Sequence, residues 1–295
     1  MDGVLPGGYW GVDGRLHREF ELAALTGRDE ELMARADGGA SAALVTEVLS
    51  RCVQRLGGIS PVTPDVAREL LVADRHFLLL RLRSAAFGDQ VRANLLCPWP
   101  GCGERVSLAF SLADVPVVQA PQHSFLHTVA LSSEALGEDD PVSADVIFRL
   151  PNGSDQEELS ELVALNEAEA LTRLLSRCIR RIGPYEPPWG QRIVDLSPRA
   201  RSEIEECMEQ LAPKVEQTME VTCAACTRMF LVPLDIQRLL FGDLRTDASL
   251  LYREVHHLAF HYHWSEREIM EMTRDKRRTY INVLTDVLEV QNCGT

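Results

Sequence analysis

Apolar positions recur at helical spacing in two separate stretches of the chain. The first holds Leu44, Val45, Val48, Leu49, Cys52, Val53 and Leu56; the second holds Leu171, Leu174, Leu175, Cys178, Ile179 and Ile182. Three to four apolar residues per two turns make the core-facing stripe of an amphipathic helix. A short apolar strand precedes each helical region, at 19–23 and 145–150, and leads into a turn at Gly27 or Gly153. Thr26 and Asn152 are placed to cap the helices that follow, with Asp29 and Asp155 three residues on in the capping-box position. Gly38-Gly39 is expected to interrupt the first helix. Further helices start at Thr63-Pro64 and Ser197-Pro198, where proline fits the first turn, and another is expected over 74–86.

Each region ends in a strand, a cysteine pair and a returning strand: 93–97 with 105–112, and 218–223 with 229–234. Alternation at Val106, Leu108 and Phe110 predicts a half-buried strand. The repetition extends to identities. Leu49-Ser50-Arg51-Cys52 returns as Leu175-Ser176-Arg177-Cys178, and the same offset relates Gly27 to Gly153, Asp29 to Asp155, Gly57 to Gly183 and Cys97 to Cys223. The second cysteines, Cys102 and Cys226, are out of step. The expected fold is therefore α+β: two related halves from an internal duplication, each with helices and a zinc-knuckle hairpin, and a C-terminal helical tail. The expected boundaries are 1–115 and 145–240 for the halves, 116–144 for a polar, proline-bearing linker that has room for a short strand at 128–131, and 241–295 for the tail. In the tail, Ser265 and Glu268 form a capping-box pattern that predicts a helix from Glu266, with Trp264 and Ile269 as its hydrophobic staple.

The cysteines change the picture most. Cys97 and Cys102 are separated by four residues, Cys223 and Cys226 by two, and each pair lies between strand-like segments. A tight hairpin aims both sulfurs and nearby amides at one point, and thiolates are good zinc ligands. One pair cannot fill a tetrahedral site; two pairs can. The expectation is one structural zinc per chain, on Cys97, Cys102, Cys223 and Cys226, with no open position for catalysis. Two pairs of free thiols, or redox chemistry at Cys223 and Cys226, are the alternatives. The redox reading prefers a helix N-terminus, whereas Cys223 follows the strand-like Met219-Glu220-Val221-Thr222. Cys52 and Cys178, on apolar helix faces, read as core residues.

Charge and composition narrow the function. The 295 residues carry a formal net charge of −14, which disfavours nucleic acid as a partner. A zinc-ribbon module contacting nucleic acid or transcription machinery is the alternative reading, and it needs a basic face. No apolar run is long enough to span a membrane, and the N-terminus has no basic-then-apolar leader, so the expected location is cytoplasmic. Phosphate loop, nucleophile elbow and dinucleotide fingerprint are all missing, so no enzyme is expected. His257 and His261 have metal-ligand spacing with Glu254 one turn earlier, but Leu258 stands where a zinc protease needs glutamate; packing is the preferred reading. The acidic helix starts Asp29-Glu30-Glu31 and Glu157-Glu158, and the basic run Arg274-Asp275-Lys276-Arg277-Arg278, read as solvated helix faces, with contact to an acidic partner or nucleic acid as the alternative for the basic run.

Leu25-Thr26-Gly27-Arg28-Asp29-Glu30, the cysteine-flanked hairpins and the tail segment from His257 to Ile269 together resemble the T-even-type phage baseplate proteins, the hub-assembly chaperones encoded with phage tails and related contractile injection systems. The resemblance implies a helper in baseplate construction or a minor baseplate component, with protein subunits as partners and no small-molecule substrate. The tail carries more apolar positions than one docking stripe needs, which makes it a candidate partner-binding segment, with Trp264, Ile269, Met270 and Tyr280 as its candidate contacts; completion of the protein's own core is the equal alternative.

Overall fold

The computed structural model describes residues 1–34, 41–135, 145–246 and 248–293. Gly38-Gly39 lies outside the described residues. The fold mixes helices with small antiparallel sheets, as α+β patterning requires.

The chain opens with β1 (Asp2–Trp10) and β2 (Leu16–Leu22), continues through α1 (Gly27–Ala34) and α2 (Ala42–Cys52), and returns to the sheet as β3 (Val53–Leu56). The three strands pair antiparallel in the order β1-β2-β3. Helices α3 (Pro64–Glu69) and α4 (Val72–Phe87) follow, with Thr63 capping α3. Leu5, Phe20, Val45, Leu49, Leu78 and Leu82 form the centre of the first core.

β1 was not legible in the sequence, because Gly3, Pro6, Gly7 and Gly8 oppose a strand. The strand survives by breaking its ladder: the register shifts between Val4 and Tyr9, and Gly8 adopts φ +102°. The amides freed at Gly7 and Gly8 donate instead to the two carboxylate oxygens of Asp74, each at 2.8 Å.

The next hairpin is β4 (Gln90–Leu96) with β5 (Arg105–Ser111). The stretch expected as a linker carries β6 (Val117–Val118) and β7 (His127–Ala130). A second three-stranded antiparallel sheet then forms, ordered β7-β8-β9, from β8 (Asp145–Phe148) through α5 (Gly153–Leu165) and α6 (Glu167–Cys178) to β9 (Ile179–Ile182). Helix α7 (Pro198–Leu211), capped by Ser197, covers it over Val146, Phe148, Leu175, Ile204 and Met208. β10 (Lys214–Val215) pairs back with β6, and β11 (Thr218–Thr222) with β12 (Met229–Pro233) makes the second cysteine hairpin. Helices α8 (Ile236–Thr246), α9 (Ala248–Tyr262), α10 (Glu266–Met270) and α11 (Arg274–Cys293) complete the chain. The Ser265–Glu268 capping box is present and starts α10 at Glu266.

The two sheet units share local chemistry. Asp29 accepts from the Thr26 amide and from Arg51 Nε at 2.7 Å; Asp155 accepts from the Asn152 amide and from Arg177 Nε at 2.7 Å. Asp155 also takes both terminal nitrogens of Arg149, at 2.6 and 2.8 Å. Burial alone would raise the Asp155 pKa, but these arginine contacts hold the carboxyl below the usual range.

Two charge readings are corrected. Asp29 and Glu30 are buried, not solvated, and Arg274 and Arg277 are buried partners of Glu30 rather than a free basic face. Helical spacing reports which face a charge lies on and nothing about what covers that face.

Asp74 offers a pH test. Burial pushes its carboxyl up to about 6, although the Gly7 and Gly8 amides pull the other way. Between the ordinary carboxylate value of 3.8 and 6, the folded state therefore holds more protons than the unfolded state, and stability falls as pH rises through that window. Relative to an Asp74→Asn variant, the protein should gain about 1 kcal/mol in urea unfolding between pH 7 and pH 5. Parallel pH profiles for the two proteins would refute the assignment.

Candidate metal centre

Alternation sorts the two cysteine hairpins into inner and outer faces. Val91, Val106, Leu108 and Phe110 face inward on the first, and Val221, Phe230 and Val232 on the second. Val106 and Val221 meet with Leu108, Phe230 and Val232 in one small apolar cluster, which also holds all four cysteines.

The four sulfurs lie within 4.8 Å of one another. Cys97 Sγ is 3.7 Å from Cys226 Sγ, and Cys102 Sγ is 3.8 Å from Cys223 Sγ, so the first cysteine of each hairpin faces the second of the other. None of the four is in a disulfide. Thiolates at the corners of a tetrahedron, each bonded at about 2.3 Å to a central ion, stand about 3.8 Å apart. The spacing therefore fits a metal ion with four thiolate ligands, and among the described residues this is the group with metal-ligand spacing.

Local backbone prepares the cluster. The Cys97 amide donates to Glu104 O at 2.9 Å and the Cys223 amide to Arg228 O at 3.0 Å, closing the two turns in the same way. Amides of Cys226 and Ala225 point at the Cys223 sulfur, outweigh its burial and pull that thiol down to about 7. Burial dominates at Cys97 and pushes it up to about 12. Deprotonation is thus easier at Cys223 than at Cys97, and an ion binding thiolates here would release protons from the cluster. Cys223 ends a strand and no helix begins there, so the setting that favours redox pairs is missing at this position.

Trp99, in the spacer of the first pair, was not singled out from sequence. Its Nε1 donates to Met229 O at 3.1 Å, and the Arg228 guanidinium lies 5.7 Å from its ring centre, so one knuckle clasps the other. The signal was visible, since an indole in a glycine- and proline-rich turn needs a partner for its N–H. The residue after each second cysteine has positive φ: Gly103 at 64° and Thr227 at 59°.

The other candidates fall elsewhere. Cys52 and Cys178 are fully buried in their helices. His257 and His261 have ring centres 4.8 Å apart, but Glu254 is engaged by Arg277 Nε at 2.9 Å. Ile269 and Met270 are buried in a cluster made by the tail itself, with Trp264 and Tyr280 half-buried beside them and Trp264 stacked on Tyr262.

A sequence profile settles the family. The one described as "T4 bacteriophage base plate protein" matches residues 14–239. The chain belongs to this family of phage baseplate proteins. The matched span leaves out β1 but holds β2, β3, the whole second sheet unit and both cysteine hairpins, and it ends inside α8. The tail segment from His257 to Ile269 therefore lies outside it. No curated protein and no solved structure matches the chain.

Within this baseplate protein, Thr227 is the one β-branched residue in a left-handed turn of the cysteine cluster. Such a conformation costs a non-glycine residue about 1 kcal/mol or more. Thr227→Gly is expected to raise stability by about 1 kcal/mol in thermal or urea unfolding with the thiol cluster intact. An unchanged or lower midpoint would show that the Thr227 Oγ1 bond to Cys226 O, at 2.7 Å, offsets the strain.

Proposed function

We propose that this chain is a non-enzymatic, zinc-stabilised assembly factor or minor component of the baseplate of a contractile phage-tail-like particle, acting through protein–protein contacts. The family match carries the reading. A structural family, and a cluster whose four thiolates would leave a bound ion no open position, both favour a scaffold over a catalyst. Zinc is the proposed ion because an all-thiolate tetrahedral set suits it best in a chain with free cysteines. The hub-assembly chaperone role is the narrower form of the same proposal. Among the described residues, no helix is long and apolar enough to cross a membrane, in keeping with protein partners.

The halves 1–115 and 145–240 are proposed to derive from a duplication. The matched Asp29–Arg51 and Asp155–Arg177 pairs, each spanning 22 residues, support it, as do the crossed sulfur contacts that relate the hairpins as a twofold axis would. The tail from 241 is proposed to meet other subunits, with Trp264 and Tyr280 at its rim over Ile269 and Met270.

Three experiments test the proposal. Metal analysis of the purified protein should find about one zinc per chain. Cys223→Ser should release it and cost on the order of 3 kcal/mol, with protection from hydrogen exchange lost in both hairpins. A metal-free protein with four freely alkylated thiols would remove the zinc. Deleting the gene should leave tails without baseplates under the electron microscope; normal particles would refute the assembly role.

A further inference from the structure

The contact that seats the tail on the first half is used a second time inside the protein. In the tail, Ser265 caps α10, Thr273 forms a β-bridge with Thr26, and Arg277, fourth residue of α11, is fully buried. In the body, Thr63 caps α3, Leu71 forms a β-bridge with Asn152, and Arg75, fourth residue of α4, is fully buried. Both arginines lie over a glycine that opens a helix. A Cβ on Gly27 would stand 3.1 Å from Arg277 Nη1, and one on Gly153 would collide with Arg75 Nη1. The glycine amides even donate alike, Gly27 to Met272 O at 3.2 Å and Gly153 to Leu70 O at 3.0 Å. The N-terminal faces of α1 and α5 therefore accept one kind of partner. It is a capped short helix, one extended residue, and a second helix with arginine in its first turn.

The two sites are filled differently. At Gly153 the occupant is α3–α4, whose Ala67, Leu70, Leu78 and Leu82 belong to the first core. At Gly27 the occupant is a tail whose own cluster, Leu251, Val255, Leu258, Ile269 and Met270, holds no residue of α1. Met270 touches Gly27 and Arg274 lies over the Phe87 ring, and beside them charged and polar groups tie the tail down: Arg277 to Glu30 at 2.7 Å, Arg274 to Glu30 at 3.5 Å and Tyr252 Oη to Glu31 at 2.6 Å. Buried ion pairs lose hydration on forming, so such a seat is selective more than it is strong.

We propose that the Gly27 face of α1 is an exchangeable docking site. The chain's own α10–α11 holds it in the free protein, and a neighbouring baseplate subunit presenting the same helix–bridge–arginine unit takes it in the particle. The identity of that neighbour rests on the baseplate reading; the exchange itself is measured on purified protein and stands or falls separately. The probe is a fluorescent peptide of residues 264–293, read by anisotropy against the full-length chain. It should bind an Arg277→Met variant at least tenfold more tightly than the unmodified protein, and adding Gly27→Ala should abolish that binding. Equal binding to both proteins, or binding that survives Gly27→Ala, would overturn the proposal. Should Arg277→Met not fold, hydrogen exchange on the unmodified chain decides. The amides of α10 and of the α1 N-terminus should exchange together and at least tenfold faster than those at the α5 N-terminus, and equal protection at the two sites would overturn it.

Discussion

The meeting of four sulfurs is the constraint on which the pairing of the two cysteine hairpins depends. Each cysteine hairpin has two strands and one apolar face, too little to be stable alone in water. Facing each other, they share Val106, Leu108, Val221, Phe230 and Val232 with the cysteines at the end of the cluster. Sulfurs 3.7 and 3.8 Å apart are too far for a disulfide and well spaced for a common ion. The Trp99 indole bond to Met229 O adds a direct clasp across the same seam.

Away from this seam, buried charge organises the fold more than exposed charge does. Asp155 with Arg149 and Arg177, Glu30 with Arg274 and Arg277, and Asp29 with Arg51 all sit where helix starts meet neighbouring elements. Such groups contribute little net stability compared with apolar packing, yet any other pairing would leave a charge buried and alone. They fix which helix end meets which partner. Asp74 does the same for backbone, receiving the amides that the glycine-rich β1 cannot pair within its sheet.

Much of this was legible in the sequence where a local rule decides the outcome. Thr63-Pro64, Ser197-Pro198 and Ser265 with Glu268 open helices because capping chemistry is a matter of adjacent residues. The cysteine spacing announced two hairpins for the same reason. β1 stayed hidden because its glycines and proline are tolerated only through Asp74, far along the chain. The charges of α1 and α11 were misread because their burial comes from each other, and Glu30 and Arg277 lie 247 residues apart. Trp99 was visible, but its partner belongs to the other hairpin.

The separation of the two hairpins along the chain orders events during synthesis. Cys97 and Cys226 are 129 positions apart, and the ribosome delivers the amino-terminal pair first. For the time needed to make the intervening segment, Cys97 and Cys102 have only half a coordination shell, and Val106 has no facing hairpin to bury it. The first core is itself incomplete during that time, because it also draws on Val215, Leu234, Ile236, Leu240 and Phe241. Closure of the thiol cluster then marks the moment at which translation has passed residue 226, so a metal bound there would serve as a timestamp of a nearly finished chain.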